Sequence, residues 1–150
     1  MKEIISSQRM GNFIFDEATK AYRNENKGIH WSLNMSQEGV DAQLLLQKAE
    51  TLFADIEQFE QKAKRAIAEK LVNYKNEFWP EYAEENVDWD AVDAGEYEVT
   101  TEAFEAAIAL CDVDIRIENI YCEYKDGDLF GGHRIHAYFD DDYKLIRADV

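Results

Sequence analysis

The chain has 150 residues, 46% of them apolar and 13% aromatic, with 32 acidic against 16 basic side chains and a net charge of −16. That length and aromatic content predict one folded domain over 1–150 and exclude a disordered chain, which would lack the large side chains that bury most area. The charge disfavours binding to nucleic acid or an anionic membrane, no apolar run approaches the roughly 20 residues of a membrane span, and residues 1–7 lack the apolar stretch of a secretory signal, so a cytoplasmic protein is expected.

In chain order, Asn12-Phe13-Ile14-Phe15 is the first predicted strand, and the polar stretch from Asp16 to Lys27 is expected to be a hairpin or loop. From Gly28 to Met35 the sequence alternates, with Ile29, Trp31, Leu33 and Met35 on one side and His30, Ser32 and Asn34 on the other, which predicts a half-buried strand. Ser36 is placed to cap a helix beginning near Glu38 or Gly39. Leu45, Ala49, Leu52, Ile56, Phe59, Ala63 and Ala66 then recur at helical spacing, and no Pro or Gly interrupts from Val40 to Trp79. An unbroken helix over that span would be about 60 Å long, more than a domain of this size is wide, so one long or once-broken helix packed on a sheet is expected. Its apolar seam also offers a homodimer interface.

Pro80 ends the helix, and the following stretch to Glu98 is acidic and sparsely apolar, which fits a surface connection or a short helix. Thr100 or Thr101 caps a second helix through Leu110. The last forty residues have the pattern of a β-meander. Val113, Ile115 and Ile117, then Ile120, Cys122 and Tyr124, then His133, Ile135, Ala137 and Phe139 alternate with polar neighbours, and a final strand runs from Tyr143 to Ala148. Asp126-Gly127 and Asp140-Asp141-Asp142 mark turns. The predicted class is α+β, a mostly antiparallel sheet with the C-terminal meander packed against one long helix and a smaller helix.

Charge is distributed unevenly along this order. Residues 1–75 carry 11 acidic and 11 basic side chains, residues 116–150 carry 8 and 5, and residues 76–115 carry 13 acidic side chains with no Lys, Arg or His. Such a segment attracts a basic protein partner, and Glu81, Glu84, Glu85, Asp88, Asp90 and Asp93, with Trp89 as an aromatic anchor, are the candidate partner-binding residues. The bland alternative is a solvated face that serves solubility alone.

No P-loop, dinucleotide fingerprint, nucleophile elbow or paired-cysteine metal site is present, so no catalytic residue and no cofactor is assigned. Cys111 and Cys122 are read as small core hydrophobes. The most distinctive string is Asp126-Gly127-Asp128-Leu129-Phe130-Gly131-Gly132-His133. One reading makes Asp126, Asp128 and His133 a metal or acid/base cluster, although the bidentate Glu of a calcium loop is missing. The other makes the string a turn, with Asp126 accepting backbone N–H groups, Gly127 at positive φ, Gly131 and Gly132 forming a bulge, and His133 at the core edge with its ring nitrogens hydrogen-bonded.

The same string resembles the C-terminal signature Asp-Gly-Asp-Leu-Phe-x-Gly-His of an uncharacterised bacterial domain family. A looser likeness extends to Gly11-Asn12-Phe13, to His30-Trp31 and to Asn76 through Trp79. Gly131 stands at the variable position, where a larger side chain is expected in that family. The resemblance implies a small stand-alone bacterial protein and, by analogy with immunity families, an inhibitor of a basic toxin or nuclease; a metal-dependent or acid/base enzyme built on Asp126, Asp128 and His133 is the alternative.

Overall fold

A computed structural model describes residues 3–79, 88–93 and 98–150, with the backbone alone at 92 and 93. Eight strands form one sheet in chain order: β1 (Ile4–Ser7), β2 (Gly11–Asp16), β3 (Ala21–Asn26), β4 (Ile29–Asn34), β5 (Ala109–Ile115), β6 (Ile120–Lys125), β7 (Ile135–Phe139) and β8 (Leu145–Asp149). Every neighbouring pair is antiparallel except β4 and β5, which run parallel with Trp31 opposite Val113 and Leu33 opposite Ile115. The sheet is thus two four-stranded meanders joined edge to edge. A parallel join needs a crossover, and the intervening chain supplies it with α1 (Ala42–Ala54), α2 (Ile56–Phe78), α3 (Trp89–Asp93) and α4 (Thr101–Ala107).

One face of the sheet carries the core. Phe13, Trp31, Leu33, Val113, Ile115, Cys122, Tyr124, Ile135, Ala137 and Phe139 are buried there in one cluster with Leu45, Ala49 and Leu52 of α1, Phe59, Ala63, Ile67 and Leu71 of α2, and Phe104 of α4. The Phe59 ring meets the Phe139 ring edge-on at 5.0 Å. The apolar stripe of α2 is therefore used within the chain. No helix among the described residues is long and apolar enough to cross a membrane.

The stretch 16–27, expected as a hairpin or loop, forms hairpins on both sides of the strand β3, and residues 4–7 form a further strand outside the expectations. Both escape a hydrophobicity pattern because each buries one large inward side chain, Ile5 in β1 and Tyr22 in β3, among polar ones: Asn24 and Asn26 point amides at the Met10 carbonyl at 3.0 and 3.1 Å. Lys27 and Gly28, with φ of +52° and +78°, close the β3–β4 hairpin with the two positive φ values of a primed turn. The first helix is capped by Asp41, whose side chain accepts from Gln43 N, and not by Ser36. Gly39 at φ +76° puts the preceding residues outside the helix, and Ser36 instead donates to Asn34 Oδ1.

The predicted long helix breaks at Asp55, where φ and ψ of −110° and 19° leave the helical region without any Pro or Gly. The Asp55 N–H turns back to the Leu52 carbonyl at 3.0 Å, and α2 starts afresh with Phe59 N on the Asp55 carbonyl. The break lets two shorter rods lie over one core. In the meander, β5 ends at Ile115 and Ile117 is exposed, while Tyr143 at φ +66° belongs to the turn before β8 and not to the strand. That turn is held by Asp140 Oδ1, which accepts from the N–H groups of Asp142 and Lys144.

Candidate functional site

Between β6 and β7 the string from Asp126 to His133 makes two turns back to back. Leu129 N donates to the Asp126 carbonyl and His133 N to the Phe130 carbonyl, and the central pairs Gly127–Asp128 and Gly131–Gly132 have φ of 59°, 65°, 65° and 89°. Four consecutive-pair positions at positive φ explain why the segment is rich in Gly and Asp, the residues that reach the left-handed region at least cost. Asp126 is buried, and its carboxylate ties the turns together. Oδ1 accepts from Asp128 N at 3.1 Å, and Oδ2 from Phe130 N at 2.8 Å and Gly132 N at 3.0 Å.

Leu129 and Phe130 are buried beneath the loop, with Phe130 against Phe104 of α4 and against Trp79 at the end of α2. His133 is exposed, not at the core edge. Its ring lies against Trp79, with centroids 5.6 Å apart, and no hydrogen bond to its nitrogens is found among the described residues. The strand begins only at Ile135, so His133 is outside the alternation that suggested an inward position. Asp126, Asp128 and His133 do not converge: among the described residues no group of three or more His, Cys, Asp or Glu is placed to hold a metal ion.

The acidic segment opens from the same corner. Lys75, buried near the end of α2, donates from Nζ to the Trp79 carbonyl. Asp88 caps α3 by accepting from Asp90 N and Ala91 N, and Asp88, Trp89 and Asp90 are exposed, Trp89 at 58%. Neither Asp88 nor Asp90 pairs with a Lys or Arg among the described residues. Glu81, Glu84, Glu85 and the side chain of Asp93 lie outside the described residues. Further along, Glu102 and Glu105 of α4 face α2 across a groove of about 530 Å³ that Glu57, Glu60 and Lys64 also line. One cation of α2, Arg65, reaches Glu69 at 2.9 Å, Glu102 at 3.3 Å and Glu105 at 3.4 Å. Hydrogen bonds to these three carboxylates raise the guanidinium pKa, and the Glu102 pKa is lowered by its own backbone N–H and by Arg65.

The match to a family model runs over residues 7–150, described as an uncharacterized protein conserved in bacteria (DUF2262). The chain belongs to the DUF2262 family. No curated protein and no solved structure matches it.

In this DUF2262 protein two residues to which sequence reasoning gave no role do positional work. Asn76 Oδ1 accepts from Val99 N at 2.8 Å while its Nδ2 donates to the Val99 carbonyl at 3.0 Å, so one amide side chain pins the chain just before α4 to the end of α2. Arg65 sets how much negative charge α4 presents. An Asn near a helix end and an Arg on a polar helix face carry no periodic signal, and only the packing of α4 on α2 reveals their partners.

A second polar grouping lies on the sheet face opposite the core. Cys111 is buried at the bulge in β5, receives Arg134 Nη1 at 2.7 Å and donates to the Glu123 carbonyl. Burial, followed by Asp112, pushes its pKa up to about 11, which keeps it a thiol at neutral pH. Beside it Tyr121 Oη meets His136 Nδ1 at 2.6 Å, and Glu123 stands 3.4 Å from the same nitrogen. Burial and then Glu123 raise the Tyr121 pKa, so the phenol keeps its proton.

Proposed function

We propose that this protein is a non-catalytic binding domain that presents its acidic segment to a basic protein, as an immunity-type inhibitor does to a basic toxin or nuclease. The observation that carries the reading is the contrast in charge: 13 acidic side chains and no basic one in residues 76–115, with Asp88 and Asp90 exposed and without a cationic partner among the described residues. Like charges held together on a surface repel, and a basic partner relieves that repulsion while steering speeds its approach. Trp89, exposed between the two aspartates, supplies the aromatic area that anchors such interfaces. Glu57 and Glu60 of α2 add negative charge to the groove beside α4, where Arg65 already holds Glu102 and Glu105.

Co-expression with a basic toxin encoded beside this gene tests the proposal, read as growth rescue and as the salt dependence of association of the purified pair. Wild type rescues growth, and a variant with Asp88→Asn, Asp90→Asn, Glu102→Gln and Glu105→Gln associates at least about tenfold more slowly at low salt with a flatter salt dependence. Unchanged kinetics in that variant place the interface elsewhere and overturn the reading.

A further inference from the structure

Every helix that enters the core does so on one face of the sheet. The strand registers put Ile4, Ile14, Arg23, Asp114, Tyr121, Tyr138 and Arg147 in one row across the other face, and no described helix covers it. Three properties set this face apart from the rest of the molecule.

First, its charge is mixed. Arg23 lies 3.6 Å from Asp16, Arg116 2.8 Å from Asp114 and Arg147 3.2 Å from Asp149, while Asp112 has no Lys or Arg partner among the described residues. Docking here buries three ion pairs that already exist, an arrangement that lowers the desolvation cost. Second, its C-terminal half carries a stack of the residue types that dominate interfaces. Arg116 sits 4.7 Å over the Tyr121 ring, Tyr121 packs on Tyr138 at 5.0 Å, and Arg147 covers Tyr138 at 4.3 Å. Third, its N-terminal edge exposes two apolar side chains that are cross-strand partners, Ile4 at 48% and Ile14 at 56%.

We infer that this face is the interface with a second copy of the chain. Two molecules of charge −16 repel one another over most orientations, and a face that holds three arginine–aspartate pairs is where that repulsion is weaker. Identical sheets share the same twist, which is the condition for packing face to face at about −30°. Eight strands about 4.8 Å apart and some five residues long span roughly 550 Å² in plan before side-chain relief, close to the ~800 Å² of accessible surface that each partner gives to a standard interface. A two-fold axis along the strands sets the β1–β2 end of one copy over the β7–β8 end of the other. Ile4 and Ile14 then meet the Tyr138–Arg147 stack, and the mixed-sign face meets its own complement.

Sedimentation equilibrium over about 1 to about 300 µM, the range in which a polar interface of this size associates, reads the result. The mass is expected to rise from 17.4 kDa toward twice that value. Ile14→Glu and Tyr138→Glu should each weaken the dimer by at least about tenfold, and Leu44→Glu, on an exposed position of α1, should leave it unchanged. Circular dichroism confirms that each variant is folded, and Ile14, being exposed, keeps the test valid if Tyr138→Glu fails to fold. A single species of 17.4 kDa at every concentration overturns the inference. So does a dimer that survives both sheet-face substitutions or is lost in Leu44→Glu.

Discussion

Replacing Gly127 by Ala is the sharpest probe of the double turn. Gly127 has φ of +59°, and a Cβ there would overlap the backbone carbonyl of Ala107, the last residue of α4. The left-handed backbone costs an L-residue about 1–2 kcal/mol. Relieving the overlap moves backbone rather than a flexible side chain, at a further cost of about 1–3 kcal/mol. The sum is roughly 3 kcal/mol, which lowers the melting temperature of a chain this long by roughly 6–12 °C. Gly132 provides the internal control, because it has φ of +89° but nothing within 4 Å of the position its Cβ would take. Gly132→Ala therefore carries the conformational cost alone, about 1 kcal/mol and some 3 °C. Urea unfolding at constant m-value, with calorimetry alongside, measures both. If Gly127→Ala melts no lower than Gly132→Ala, the loop does not press on α4 as described and the steric argument is wrong.

Asp126→Ala removes the acceptor of three backbone N–H groups and should destabilise by about 3 kcal/mol, checked by urea unfolding, with Asp126→Asn intermediate because one oxygen remains. Asn76→Ala should cost about 2 kcal/mol and speed amide exchange at Val99 well before global unfolding, since both of that residue's backbone groups lose their partner. Cys111 and Cys122 are buried, and both thiols are held protonated by burial, so a thiol reagent should label them at neutral pH only after unfolding. Burial raises the Cys111 pKa from 9.0 to about 11, so its contribution to stability is complete below pH 9 and falls away as the pH climbs through about 11; a Cys111→Ser chain should lose less stability across that window in pH-dependent unfolding.

Much of the fold was legible from local pattern. Strict alternation at Trp31 and Leu33 and at Ile135, Ala137 and Phe139 marks half-buried strands because one side of each faces the core. A threonine cap at 100 or 101 was readable, since a hydroxyl just before a run of helix formers accepts an orphan N–H, and the structure gives that role to Thr100, which accepts from Ala103, with the helix ending at Ala107. The positive φ at Gly127 was readable too, because Gly reaches that region cheaply, whereas Lys20, Lys27 and Tyr143 adopt it without any such signal. These features depend on nearest neighbours in the chain, and such neighbours are printed in the sequence.

What only tertiary structure decided involves partners distant in the chain. β3 is a strand because β2 and β4 flank it and the Met10 carbonyl takes its inward Asn amides, not because of its own polarity pattern. The helix breaks at Asp55, with no breaker residue, because one core must be covered by two rods. His133 turned outward to Trp79 because the double turn consumes the residues before Ile135 and delays the strand. The acidic segment looked devoid of cations along the chain, yet Arg65 reaches Glu102 and Glu105 from 37 and 40 residues away. Charge pairing and sheet pairing act through space, and the order of residues along a chain specifies them only through the fold.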